Sequence, residues 1–184
     1  MNLLDDYTQR AATPSDIVDH LPFLFDAVCR FPGATVLELG TRGGNSTAAF
    51  LAAAEQVDGH VWSVDVVNPR TPDWWLETGR WSLHVGDDMA AAAAEFAPPV
   101  VDVLFIDTSH YYEHTLAELE AFVPRVRPGG VVLMHDTELE NPEGGGPDQA
   151  FPVVRALDAF CAAHEMTWTN RPGCYGLGVM DVRL

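Results

Sequence analysis

The stretch Thr35–Ser46 reads TVLELGTRGGNS, and it constrains the fold more than any other part of the chain. Val36, Leu37 and Leu39 make a short apolar run, with the acid Glu38 near its end. Gly40, Thr41, Arg42, Gly43 and Gly44 follow, and then a good helix entry at Asn45, Ser46 and Thr47. A buried strand, a glycine turn and a helix N-terminus in that order make a nucleotide-type site. Glycine lets the chain turn sharply and lets a ligand lie against bare backbone. The free N–H groups of the first helical turn then face that ligand. The G-x-G-x-x-G dinucleotide fingerprint is absent. A Walker A loop is excluded, because the sequence contains no Lys.

The rest of the chain reads as strands alternating with helices. A helical pattern runs from Pro14 to about Arg30, with Pro22 placed to split it. Strands are expected at Thr35–Leu39, His60–Asp65, Trp81–Gly86, Val101–Ile106 and Val131–Met134. Helices are expected at Asn45–Gln56, Asp88–Phe96, Glu113–Val123 and Phe151–His164. Two last strands, Met166–Thr169 and Tyr175–Val182, are joined through Arg171-Pro172-Gly173, too tightly for a crossover helix. The expectation is a single α/β domain with a Rossmann-like, doubly wound, seven-stranded sheet. It is mostly parallel and ends in an antiparallel C-terminal hairpin. Residues 1–33 form an N-terminal helical segment, 34–136 the ligand-binding core, and 137–150 a mobile loop over the site.

Composition narrows the partners. A net charge of −17 argues against nucleic acid, whose phosphates would be repelled. No apolar run approaches the ~18–20 residues needed to cross a bilayer, so no membrane partner is expected. The polar N-terminus MNLLDDYTQR is not read as a signal peptide. Three cysteines make no disulfide framework, and a reducing cytoplasm is the simple inference.

In doubly wound sheets, ligands bind beyond the carboxyl ends of the strands. Strand two ends at Asp65, where an acid can accept from both ribose hydroxyls. That supports an adenosine ligand without choosing between cofactors. Strand three ends in Gly86-Asp87-Asp88, strand four in Asp107-Thr108-Ser109-His110-Tyr111-Tyr112, and strand five in His135-Asp136-Thr137.

Two blocks, ELGTRGGNST and VDVLFIDTSHYYEHTLAELEAFVPRVRPGGVVLMHDT, carry a family resemblance. They resemble class I S-adenosylmethionine (SAM) methyltransferases. The similar family includes macrocin- and mycinamicin-type sugar O-methyltransferases and proteins labelled cephalosporin hydroxylase. The resemblance spans about residues 34–137. It implies SAM as cofactor, with Glu38 and the loop residues Gly40, Thr41, Gly43, Asn45 and Ser46 at its methionine end. Asp65 would serve the ribose, Asp87 the adenine amino group, and Asp107 the reacting end. Asp88 is left as a helix cap. The resemblance further places a divalent metal at Asp107, His135 and Asp136, and makes His110 the general base. The alternative for His110 is to orient Asp107 or cap a helix. Two carboxylates suit Mg²⁺. The related metal enzymes usually carry an acid at His135, and imidazole shifts preference toward Mn²⁺, Fe²⁺ or Zn²⁺, or means that no metal binds.

The acceptor implied is a hydroxylated small molecule, such as a sugar of a natural product. Trp74 and Trp75 are read either as a ligand wall or as packing. The chain is short for the family it resembles, so its site is expected to be open or completed by a second copy in a homo-oligomer. Two other readings stand beside this one: a non-catalytic SAM- or nucleoside-binding protein, and an NAD-dependent oxidoreductase, which the glycine spacing disfavours.

Overall fold

A computed structural model describes residues 2–93, 96–140 and 150–183. Its seven-stranded sheet has the order β3-β2-β1-β4-β5-β7-β6. The strands are β1 Thr35–Leu39, β2 His60–Asp65, β3 Trp81–Val85, β4 Val101–Ile106, β5 Val126–His135, β6 Thr169–Arg171 and β7 Leu177–Asp181. The first five pair in parallel, and β7 runs antiparallel to both of its neighbours, β5 and β6. The doubly wound architecture and its antiparallel ending are therefore as expected. Chain order reverses between β1 and β4, which opens a crevice beyond their carboxyl ends.

Alternation along the strands divides the core between the two faces. Val36, Val61, Val103, Phe105, Val131 and Leu133 face one layer. That layer is built from α1 Leu3–Ala11, α2 Leu21–Cys29 and α3 Asn45–Val57. Leu37, Leu39, Leu104, Ile106, Val132 and Met134 face the other. It holds α5 Asp88–Ala93, α6 Tyr112–Phe122 and α7 Pro152–His164. The short α4, Trp74–Glu77, lies in the loop after β2.

The N-terminal region departs from expectation. Residues Leu3–Ala11 form a helix whose N-cap, Asn2, accepts from the Asp5 N–H at 2.8 Å. The expected split at Pro22, by contrast, is observed: a 3-10 turn at Val18–His20 gives way to α2, and Pro22 lies in the first turn of α2, where its missing N–H costs nothing. Further along, β5 begins at Val126, so Pro128-Gly129-Gly130 lies inside a strand rather than in a turn. A bulge between Val101 and Val103 absorbs the irregularity. β6 is displaced to Thr169–Arg171. Of the loop expected at 137–150, residues 141–149 lie outside the described residues. Thr137 is buried, and its hydroxyl donates to Asn170 Oδ1 at 2.6 Å. Among the described residues, no helix is long and apolar enough to cross a membrane.

Candidate active site

The glycine turn is shaped by backbone contact. Gly40 has φ +90°, and a Cβ there would collide with the Asp107 carbonyl at the end of β4. Gly44, at φ +78°, sits against the Trp75 ring, which a Cβ would approach to 2.8 Å. Trp75 is fully buried and donates from Nε1 to Asp6 Oδ2 at 3.0 Å. Arg10 lies over the same ring and donates to the Gly43 carbonyl (2.9 Å) and to Asn45 Oδ1 (3.0 Å). So α1 braces the turn from outside, and Trp75 is packing rather than a ligand wall.

Glu38 lies beneath the turn, not in the cleft. It is fully buried and accepts from Ser46 Oγ (2.7 Å), Thr47 Oγ1 (2.8 Å) and Ser63 Oγ (2.6 Å). It falls on the face of β1 that packs on α3, so its carboxylate ties the helix entry to β2. Burial pushes its pKa up to about 7, against the pull of the three hydroxyls. The expected contact between Glu38 and a ligand is thus replaced by support of the loop.

A cleft of about 470 Å³ opens above this floor. Gly40, Arg42, Asp65, Val66 and Asp107 line one part of it, and Gly86, Asp87, Asp88, Ser109, Tyr111 and His114 the other. Asp65 ends β2, where its Oδ2 accepts from the N–H groups of Thr41 (2.8 Å) and Arg42 (2.7 Å). The two acids after β3 exchange their expected places. Asp87 caps α5, its Oδ1 accepting from the Ala90 N–H at 2.8 Å. Asp88 turns inward to His114 Nε2 at 3.0 Å.

A second hollow, of about 360 Å³, adjoins the first at Asp107 and is walled by Ser15, Asp16, Ile17, Thr41, Arg42, Gly43, Asn45 and Ser46. The buried hydroxyls Ser15 Oγ and Thr41 Oγ1 have no hydrogen-bond partner among the described residues. Buried polar groups are ordinarily paired, so these two mark a place for a polar ligand. Arg42, in ion contact with Asp16, closes the outer edge. Ser15, Asp16 and Ile17 lay beyond sequence reasoning: they follow α1 in the chain and reach the loop only through the fold.

The ends of β4 and β5 bring Asp107, His110, His135 and Asp136 together. His110 Nε2 lies 2.7 Å from Asp136 Oδ2 and 3.4 Å from Asp107 Oδ1. His135 Nε2 is 2.8 Å from the Cys174 carbonyl, so it must be the donor there. Its Nδ1, buried and without a hydrogen-bond partner, points between Asp136 Oδ2 (3.1 Å) and Asp107 Oδ1 (3.6 Å). A bare lone pair facing two carboxylates would be repelled, so Nδ1 requires a proton or a cation. Burial alone would lower both imidazoles. The carboxylates of Asp107 and Asp136 outweigh it, raising His110 to about 9 and His135 to about 10. Burial would likewise raise Asp107 and Asp136, but the imidazoles hold both below the usual carboxylate range.

The expected general base, His110, is therefore protonated at neutral pH in this arrangement. Two carboxylates and two imidazolium ions balance in charge. A divalent ion with two neutral imidazoles would balance equally, exchanging for two protons. Two carboxylates with an imidazole fit a metal of the Mn²⁺, Fe²⁺ or Zn²⁺ type; His135 Nδ1 faces both carboxylates, as expected, and His110 groups with the same two acids, whereas the two imidazoles do not fall in one mutual cluster.

Residues 37–137 match a family model described as a methyltransferase domain. A segment of 101 residues is 44% identical to the uncharacterized protein y4gI of Sinorhizobium fredii (strain NBRC 101917 / NGR234). It covers 55% of this chain, which spans about 10% of that relative's length. The structure is similar to the O-methyltransferase TomG from Streptomyces achromogenes, solved in complex with SAM (TM-score 0.71, 17% identity, 100% of this chain and 91% of that one). It is also similar to the MycE methyltransferase of the mycinamycin biosynthetic pathway, solved with Mg, S-adenosylhomocysteine (SAH) and mycinamycin VI (TM-score 0.70, 17% identity, 99% and 54%). A third similar structure is an O-methyltransferase from Bacillus cereus in complex with SAH (TM-score 0.64, 19% identity, 97% and 90%).

Proposed function

Since the chain belongs to the methyltransferase-domain family, we propose that it moves the methyl group of SAM to a hydroxyl oxygen of a small molecule. The observation that carries this reading is the continuity of three sites along the strand ends. The adenosine cleft, the hollow with two unpartnered hydroxyls and the charged cluster all meet at Asp107. SAM supplies an electrophilic methyl group on a sulfonium.

The protein's own groups bind, orient and hold protons. The bare backbone at Gly40 admits the cofactor close to the end of β4. Asp65 takes the ribose hydroxyls, and Asp87 and Asp88 border the base. Ser15, Thr41 and Ser46 receive the amino-acid end in the smaller hollow. Asp107, His135 and Asp136 would hold a divalent metal, which would supply Lewis acidity to lower the pKa of an acceptor hydroxyl. His110, outside that set, would be neutral when the metal's charge offsets the two carboxylates and would take the acceptor's proton.

The net charge of −17 supports a small acceptor rather than nucleic acid. The likeness to MycE, solved with mycinamycin VI, supports a sugar or other natural-product hydroxyl. The unpaired Cys29, Cys161 and Cys174 suit a reducing cytoplasm. A second reading, non-catalytic SAM binding, draws support from His110, which is tied to two carboxylates and held above neutral pH. Incubation with methyl-labelled SAM and a panel of hydroxylated acceptors separates the two. Transfer to an acceptor supports the enzyme, and SAM binding without transfer to any of them supports the binding protein.

A further inference from the structure

Glu118 is fully buried on α6 and takes no part in the hydrogen bonds of the reacting cluster, yet it borders the cofactor cleft through its neighbours. The Thr108 hydroxyl reaches both of its oxygens, at 2.8 and 2.9 Å. Across from it stands Asp88, itself buried, at the start of α5. His114 sits one helical turn before Glu118, and its Nε2 faces both acids: Asp88 Oδ2 at 3.0 Å and Glu118 Oε1 at 3.6 Å. Asp88 and His114 both line the cleft, Asp88 following β3, the neighbour of the strand that Asp65 ends.

This arrangement determines what His114 can offer a ligand. A carboxylate only accepts hydrogen bonds, so Nε2 carries the ring hydrogen and spends it on Asp88. In the neutral ring, Nδ1 is then an acceptor. Burial and the adjacent Asp88 push Glu118 up to about 10, so it keeps its proton at neutral pH and adds no second negative charge. The imidazole is thereby fixed in tautomer and in place by groups that do not themselves need to touch a ligand.

We propose that His114 reads the nucleobase of the cofactor, with Nδ1 accepting from the exocyclic 6-amino group of adenine. Asp88 and Glu118 act as positioning residues that hold this tautomer. The inference rests on the SAM reading above. With the ribose at Asp65, the base falls at the Gly86–Asp88 and His114 end of the cleft. An acceptor there favours a 6-aminopurine and opposes a 6-oxopurine, which would set one lone pair against another.

The test uses SAH and S-inosylhomocysteine, which differ at the six-position, amino in one and oxo in the other, and in the proton that the oxo form carries on N1. Calorimetric titration of the native chain should show SAH binding about tenfold tighter or more. His114→Ala and His114→Phe should bring the two affinities together, weakening SAH and relieving the opposed lone pairs of the inosyl compound, with native-like melting curves showing that the variants are folded. His114→Gln, which keeps an acceptor, should retain part of the preference. Equal affinities in the native chain would overturn the inference, whatever the variants do. So would variants that keep the native ratio. If the native chain bound neither compound, the SAM reading itself would fall, and this inference with it.

Discussion

The carbonyl of Asp107 stands where a side chain on Gly40 would begin, so the glycine turn after β1 and the end of β4 meet backbone to backbone. Gly40→Ala would add both a collision and a residue with a left-handed φ. It should lower stability by about 2 kcal/mol or more and abolish SAH binding. Gly79→Ala is the matched control, because Gly79 also has a left-handed φ, +68°, but nothing lies within 4 Å of a Cβ there. Thermal melts and calorimetry on both variants check this. Native-like binding by Gly40→Ala would refute the close approach.

Asp65 holds the glycine turn through two backbone N–H groups and also faces the cleft. Asp65→Ala should weaken SAH binding by ~1.5–3 kcal/mol, the cost of a lost charge-assisted bond. Unchanged affinity in calorimetry would remove Asp65 from the site.

Glu38 predicts a pH dependence of folding. Its carboxyl moves from 4.5 to about 7 on burial, so the native state keeps a proton that the unfolded chain releases. Its contribution is most favourable below about 4.5 and is lost as pH rises through about 7. At ~1.4 kcal/mol per pH unit, the full swing is about 3 kcal/mol. Glu38→Gln should flatten the stability difference between pH 5 and pH 8 in urea titrations. The same slope in both proteins would show that Glu38 does not titrate in this range.

The charged cluster predicts metal binding. Mn²⁺ or Zn²⁺ should raise the melting temperature of the chelator-treated protein, and Asp136→Asn should remove the rise while leaving SAH affinity intact. Methyl transfer should fall after exhaustive chelation and return on add-back. His110→Ala should cut turnover by ~10²–10⁴ with SAH binding unchanged. Full turnover without metal would reject the metal half of the reading, and full turnover of His110→Ala the other half.

The parallel core was legible because its strands are short apolar runs that stop at acids or glycines: Leu39 before Gly40, Asp65, and Ile106 before Asp107. What escaped were features set by distant partners. α1 is polar overall and buries only Leu3 and Asp6, so its narrow apolar face is easily passed over. It is anchored by the Asp6–Trp75 and Arg10–Gly43 bonds instead. Gly129 and Gly130 read as a turn, yet β5 needs Gly130 because a Cβ there would meet the Asp102 carbonyl at 2.8 Å. Glu38 carried the right signal for the loop but not its depth. His114 looked like an exposed helix residue, since no local pattern links it to Asp88 across two elements.

His135 takes its orientation from the carbonyl of Cys174, 39 positions later in the chain, and His20 grips the carbonyl just before it, on Gly173, at 2.7 Å. The aim of His135 is thus set from both sides by one turn near the far end of the chain, and a change in that turn would reach the strand-end cluster without altering any residue in it.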